Sequence, residues 1–168
     1  MLSMIPSVLR GVSLRDLEKI KAIVREAYPS VPQLSAQKLD ELMQSSVSLV
    51  LVDVRSPEEF DVSHLRSAIN LQSVEQIAEV IKERRTSNTV LYCSVGFRST
   101  RMAQVLSERG AAGVMNLEGS IFQWANQGRP IYRGEVTAQE VHPYGKRWAG
   151  LLKPGLASAR GGGKSRRD

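Results

Sequence analysis

Apolar residues fall in short blocks along this chain, and the spacing inside the blocks is of two kinds. Continuous apolar runs bounded by polar or turn residues read as buried strands near Pro32–Leu34, Ser48–Val54, Ala68–Asn70, Val90–Cys93 and Val114–Leu117. Apolar positions recurring every three or four residues read as helices near Ala36–Gln44, Pro57–Asp61, Ser73–Arg84, Thr100–Arg109 and Ser120–Gln127. Ahead of them, Leu14, Leu17, Ile20, Ile23 and Val24 share one helical face in the stretch Ser13–Tyr28, with Ser13 placed as its N-cap. Strands that alternate with helices predict an α/β domain whose mostly parallel sheet is covered on both faces. In such folds the reactive groups gather at the carboxyl ends of strands.

The chain is read as four segments: residues 1–30, an extension carrying the first helix; 31–132, the alternating core, with the bounds that the motif resemblance described below implies; 133–156, a second extension; and 157–168, a tail. The N-terminal helix either docks on the core or contacts another protein. In the second extension Trp148, Leu151 and Leu152 lie close enough for one helical face, preceded by Pro143 and Tyr144. That face packs back on the core or meets a partner, and the pattern favours neither.

Composition narrows the class. A chain of 168 residues with 42% apolar content suffices for one α/β core. The net charge of +6 is unevenly placed: from His142 onward Lys146, Arg147, Lys153, Arg160, Lys164, Arg166 and Arg167 face Asp168 alone. The glycine-rich, basic stretch Ala157–Asp168 reads as disordered, either a solvated tail or a loose contact for an acidic protein or RNA. No aromatic residues interleave its charges, so nucleic acid is not an expected partner. No apolar run approaches a membrane span, and Met1–Leu9 is a poor signal peptide, so no membrane is expected. A single cysteine excludes an internal disulfide, and His64 and His142 lie too far apart to suggest a metal pair, so no metal is expected. A reducing, cytoplasmic setting fits these features best.

That cysteine, Cys93, stands where the apolar run Thr89–Tyr92 ends, followed by the turn Ser94-Val95-Gly96-Phe97-Arg98 and a helix that Ser99 or Thr100 could cap. A strand, a tight turn and a helix start leave several backbone N–H groups pointing into the turn, a cradle for negative charge. Arg98 adds a full positive charge, and Gly96 lets the amides turn inward without a Cβ clash. A free thiol has a pKa of about 8.5, and such surroundings lower it to roughly 3.5–7.5, which makes a reactive thiolate. A lone cysteine is more often a small buried hydrophobe. Position is what favours the reactive reading.

The heptapeptide Cys93-Ser94-Val95-Gly96-Phe97-Arg98-Ser99 resembles the C-x-x-G-x-R-[ST] loop of rhodanese-like sulfurtransferases. Three further segments agree in order: Asp53-Val54-Arg55 with Glu59-Phe60 resembles D-V-R-x-x-x-E-[FY], His64–Leu71 resembles G-H-I-x-G-A-x-N-[IL], and Leu117–Ser120 with Trp124, Gly128, Pro130 and Ile131 resembles the closing motif. The resemblance implies a three-layer α/β/α fold and sulfurtransferase activity carried by a persulfide on Cys93, with no separate cofactor. Ser63, Ser67 and Ser120 stand where the family usually has glycine. All three lie away from Cys93 in sequence, so they bear on local turns rather than on the chemistry. Related phosphatases carry a loop one residue longer; the four residues between Cys93 and Arg98 suit a terminal sulfur better than a phosphoryl group.

The expected roles follow. Cys93 is the nucleophile, and the N–H groups of Ser94 through Ser99 stabilise the persulfide. Arg98 either contacts an anionic donor such as thiosulfate or pairs with Asp53 or Glu59 to brace the loop. Asp53 and Arg55 read as structural, His64 as organising its turn, and Trp124 as core. The expected partners are a small sulfur donor and an acceptor thiol or protein. The alternative is an interaction or redox-sensing module that keeps the fold without turnover.

Overall fold

The computed structural model describes residues 16–159. Helix α1 (Leu17–Ala27) begins one turn later than the apolar spacing suggests: its N-cap is Asp16, whose carboxylate accepts from the N–H groups of Glu18 and Lys19. The expected cap Ser13, and Leu14, lie outside the described residues. Strand β1 (Gln33–Leu34) leads through the Ser35 cap into α2 (Ala36–Gln44), with Ser35 Oγ accepting from Lys38 N–H. Then come β2 (Val50–Asp53), α3 (Pro57–Val62), β3 (Ile69–Asn70), α4 (Val74–Arg84), β4 (Thr89–Tyr92), α5 (Phe97–Glu108), β5 (Val114–Leu117) and α6 (Ser120–Asn126).

The five strands form one parallel sheet in the order β1-β5-β4-β2-β3. All four residues of β2 and of β4 are buried, as a strand covered on both faces requires. Their side chains divide by parity. Val50, Val52, Leu91 and Cys93 join Ile77 of α4 and Ala103 and Leu106 of α5. Leu51, Val90 and Tyr92 join Ile20 and Val24 of α1, Leu39 of α2, and Ile121, Phe122 and Trp124 of α6. The result is the expected three-layer α/β/α arrangement. Val114 enters β5 past Gly113, whose φ of +68° and proximity to Ser87 leave no room for a side chain: a Cβ there would lie 1.5 Å from the Ser87 carbonyl oxygen.

Beyond the sheet the chain forms a hairpin that the apolar pattern does not reveal, β6 (Ile131–Arg133) against β7 (Val136–Ala138), followed by the short α7 (Lys146–Ala149). The second extension packs back on the core: Val141, Trp148, Leu151 and Leu152 are buried in the same cluster as α1 and α6. Only Trp148 of the expected helical face lies in α7; Leu151 and Leu152 follow in the turn. Asn126 ties this turn down, donating to Leu151 O at 2.7 Å and accepting from Lys153 N–H at 2.8 Å. Of the expected tail, residues 160–168 lie outside the described residues, and its first residues are folded. Ala157 bridges Val141, and Ser158 N–H donates to Val141 O at 2.9 Å, so residues 157–159 continue the folded chain. Among the described residues no helix is long and apolar enough to cross a membrane.

Candidate active site

Cys93 is the first residue past the carboxyl end of β4, at the centre of the sheet. Helix α5 starts at Phe97, three residues ahead of the expected Thr100, and its N-cap is Gly96 with φ +113°. Ser99 and Thr100 therefore do not cap it. Thr100 Oγ1 instead donates to Gly96 O at 2.6 Å, and Ser99 Oγ turns inward, 2.6 Å from Asn116 Oδ1 and 3.4 Å from Cys93 Sγ. The positive φ of Gly96 swings its own N–H onto the sulfur, at 3.2 Å. Helical bonding begins with Thr100 N–H to Gly96 O, so the N–H groups of Phe97, Arg98 and Ser99 have no acceptor within the helix and face the loop. The cradle is thus half turn and half helix start.

Burial pushes the Cys93 thiol up, but the Arg98 charge, the Ser99 hydroxyl and the Gly96 N–H outweigh it and bring it below the ordinary thiol value. The same residue is 1% exposed, and Ser94, Val95, Gly96 and Phe97 around it are buried too.

Of the two expectations for Arg98, the geometry supplies the bracing contact. Its fork meets Glu59 with Nη1 to Oε2 and Nη2 to Oε1, both at 2.8 Å, and Nη2 also donates to Ser94 Oγ at 3.0 Å. Ser94 Oγ donates to Glu59 Oε1 at 3.1 Å. Glu59 is in place because it closes a capping box at the start of α3: its Oε2 accepts from Ser56 N–H while Ser56 Oγ accepts from Glu59 N–H. Burial raises the Glu59 carboxyl, yet the Arg98 fork and charge, with Arg55 and Ser56 N–H, hold it at about 2. Arg98 is correspondingly raised above the ordinary guanidinium value, burial being outweighed by its contacts with Glu59 and Cys93.

Asp53 is not the partner of Arg98; it belongs to Arg55. The Arg55 side chain, 0% exposed, donates from Nε to Asp53 Oδ1 and from Nη2 to Asp53 Oδ2 at 2.7 Å, and its backbone N–H also reaches Oδ1. Nη2 continues to Ser63 O at 2.6 Å, and Nη1 is left buried without an acceptor. This pair ties the end of β2 to the segment before β3. His64 lies in that segment, stacked on Phe60, with Nδ1–H donating to Leu65 O at 2.9 Å and Nε2 accepting from Gly134 N–H at 3.2 Å. Both ring nitrogens are engaged, which leaves neither for proton transfer.

Three contributors escape a reading of the sequence. Ser120, treated above as remote, takes φ +51° and accepts the Cys93 N–H on its Oγ at 3.1 Å, while Ile121 N–H and Phe122 N–H donate to Cys93 O and Ser94 O. The start of α6 therefore fixes the Cys93 loop from behind. Asn116 links Gln33 on β1 to Ser99, donating to Gln33 Oε1 at 2.7 Å; a polar side chain inside the run Val114–Leu117 was its available signal. Tyr144, from the second extension, lies over the Arg98 guanidinium with Cζ 4.6 Å from the ring centroid. Among the described residues no cluster of His, Cys, Asp or Glu is arranged to hold a metal ion.

Comparison with known proteins agrees with this architecture. A probable adenylyltransferase/sulfurtransferase, MoeZ, of Mycobacterium tuberculosis is 29% identical over 135 residues, which cover 74% of this chain and 33% of that protein. The chain thus spans about a third of that relative's length. A sulfurtransferase of Allochromatium vinosum is 30% identical over 108 residues, covering 62% of this chain and 98% of that one. The thiosulfate sulfurtransferase of Pseudomonas aeruginosa superposes with a TM-score of 0.59 at 20% identity, over 74% of this chain and 24% of that chain, a likeness of fold. The rhodanese-like domain profile matches residues 35–127, the stretch that holds Asp53, Glu59, His64 and the whole Cys93 loop. With that match resting on more than half of the chain, this protein belongs to the rhodanese-like domain family.

Proposed function

We propose that this protein is a sulfurtransferase that carries sulfane sulfur on Cys93. The observation that supports this most directly is the convergence of Gly96 N–H and the Ser99 hydroxyl on Cys93 Sγ, beside the charge of Arg98. In the first half-reaction the thiolate attacks the outer sulfur of a donor such as thiosulfate; a new S–S bond forms, the donor's own S–S bond breaks, and sulfite leaves with its electron pair. In the second, a thiophilic acceptor takes the terminal sulfur and the Cys93 thiolate is restored. The loop amides stabilise the anionic persulfide between the two steps, much as an oxyanion hole serves oxygen. No cofactor enters, and a reducing, cytoplasmic setting keeps the thiol available.

The near-complete burial of Cys93 favours a second reading, a redox-sensing or protein-interaction module in which the thiol rarely turns over. Intact mass after incubation with thiosulfate decides between them. One added sulfur on the wild type, absent from Cys93→Ser and removed by cyanide as thiocyanate, is the expected result, with the melting temperature of Cys93→Ser close to wild type. A wild type that takes up no sulfur from thiosulfate or from a small persulfide, or a Cys93→Ser that retains turnover, overturns the proposal.

A further inference from the structure

The rhodanese-like match ends at residue 127, yet a residue well beyond it reaches the reactive loop. Residues 141–158 form a strap that leaves the domain and returns to it. One end is fixed by Val141, whose N–H donates to Leu156 O at 2.7 Å and whose carbonyl accepts from Ser158 N–H. The other side is fixed by Trp148, Leu151 and Leu152 in the core and by the Asn126 contacts. At the bend Tyr144 takes φ +64°, a left-handed conformation unfavourable for a bulky side chain. Its own neighbours hold it there: Tyr144 N–H donates to His142 Nδ1 at 3.0 Å, and Gly145 N–H donates to Pro143 O at 2.7 Å. The ring meets Trp148 edge to face at 6.3 Å and lies on the Arg98 guanidinium at 4.6 Å. Strain of this kind persists where the surroundings over-determine it, and it gathers at working sites.

The consequence concerns Arg98. Its two terminal nitrogens are engaged in plane by Glu59 and Ser94, and one face is covered by Tyr144. An anionic donor approaching Cys93 therefore meets a cation that is already paired with Glu59 and Ser94 and has one face covered by Tyr144.

We propose that Tyr144 is a specificity-determining residue that sets access to Cys93, shielding Arg98 so that neutral or weakly charged sulfur donors are favoured over small anions such as thiosulfate. This rests on the sulfurtransferase reading for its biological meaning, while the gate itself is a matter of thiol access and can be measured without sulfur transfer. Two reagents of nearly equal size report it: iodoacetate, an anion, and iodoacetamide, which is neutral. The ratio of their Cys93 alkylation rates should rise about tenfold in Tyr144→Ala, the size expected when a cation–π contact between the exposed and desolvated limits is lost. Tyr144→Phe keeps the aromatic face and should hold the wild-type ratio. Tyr144→Leu keeps apolar bulk against Trp148 without that face, so it should behave as the alanine variant even where alanine loosens the strap.

In parallel, the thiosulfate KM should fall in Tyr144→Ala and Tyr144→Leu with kcat little changed. Rates that rise equally for both reagents, with the ratio unmoved, show a merely structural role and overturn the proposal. So does a Tyr144→Phe variant that matches alanine. A ratio that rises in a protein that never acquires sulfur leaves the gate standing and removes the sulfurtransferase reading instead.

Discussion

Replacing Glu59 by Gln tests how the reactive loop is braced. The Glu59 carboxylate accepts from Arg98 twice, from Ser94 Oγ and from Ser56 N–H, and it is almost wholly buried. A glutamine of the same shape keeps one acceptor oxygen and sets an amide NH2 against the second guanidinium nitrogen, leaving a poorly compensated cation. A carboxyl that titrates near 4.5 when free and at about 2 in the folded protein contributes about 3 kcal/mol at pH 7. That agrees with the 3–5 kcal/mol typical of breaking a buried pair from one side. For a domain of this size it corresponds to a melting temperature lower by roughly 6–12 °C. The sign with pH follows from the depressed folded value. The contribution is complete above about pH 5 and is lost as pH falls from 4.5 towards 2, so the wild-type advantage should shrink by about 2 kcal/mol between pH 7 and pH 3. Urea midpoints of both proteins across that range measure it. A Glu59→Gln variant within about 0.5 kcal/mol of wild type at pH 7, or a gap that stays constant down to pH 3, would refute the account of Glu59 as an ionised brace.

Asp53→Ala leaves the fully buried Arg55 without its carboxylate and should cost about 3–5 kcal/mol, read from the urea midpoint; a loss under about 1 kcal/mol would mean that the pair does not hold the end of β2. Gly96→Ala forces a side chain into φ +113° and within 3.4 Å of Asn116 Nδ2, so it should destabilise by about 1–3 kcal/mol and slow persulfide formation, because the N–H that reaches Sγ is displaced. Unchanged rates of sulfur uptake in this variant would remove Gly96 N–H from the mechanism.

The layered fold was legible because β2 and β4 are buried on both faces and so read as unbroken apolar runs, while α2 and α4 start at serines that do cap them. The start of α5 was not, for a physical reason. Its cap is a backbone conformation at Gly96, and the nearby hydroxyls that look like caps turn instead to Asn116 and Cys93, from Ser99, and to the Gly96 carbonyl, from Thr100. The hairpin after residue 130 escaped because three-residue strands with exposed Arg133, Val136 and Thr137 carry no usable alternation. Of the site, Cys93, Arg98 and Glu59 are marked by residue type and order. Ser120 and Tyr144 are brought to it by the turn after β5 and by the returning strap, contacts across 27 and 46 positions of chain that no local spacing encodes.

The sheet itself limits how another protein could approach. Both outer strands are two residues long, β1 through Gln33 and Leu34, β3 through Ile69 and Asn70, whereas the four-residue strands lie between them. Among the described residues an incoming extended peptide finds no edge of this sheet long enough to extend as an additional strand, so the sheet is guarded against edge-to-edge aggregation. It is equally closed to recognition by strand addition. Under the proposed sulfur transfer, a protein donor or acceptor would have to be met by side chains around the mouth of the loop, where the carboxyl ends of β4 and β2 and the returning strap converge.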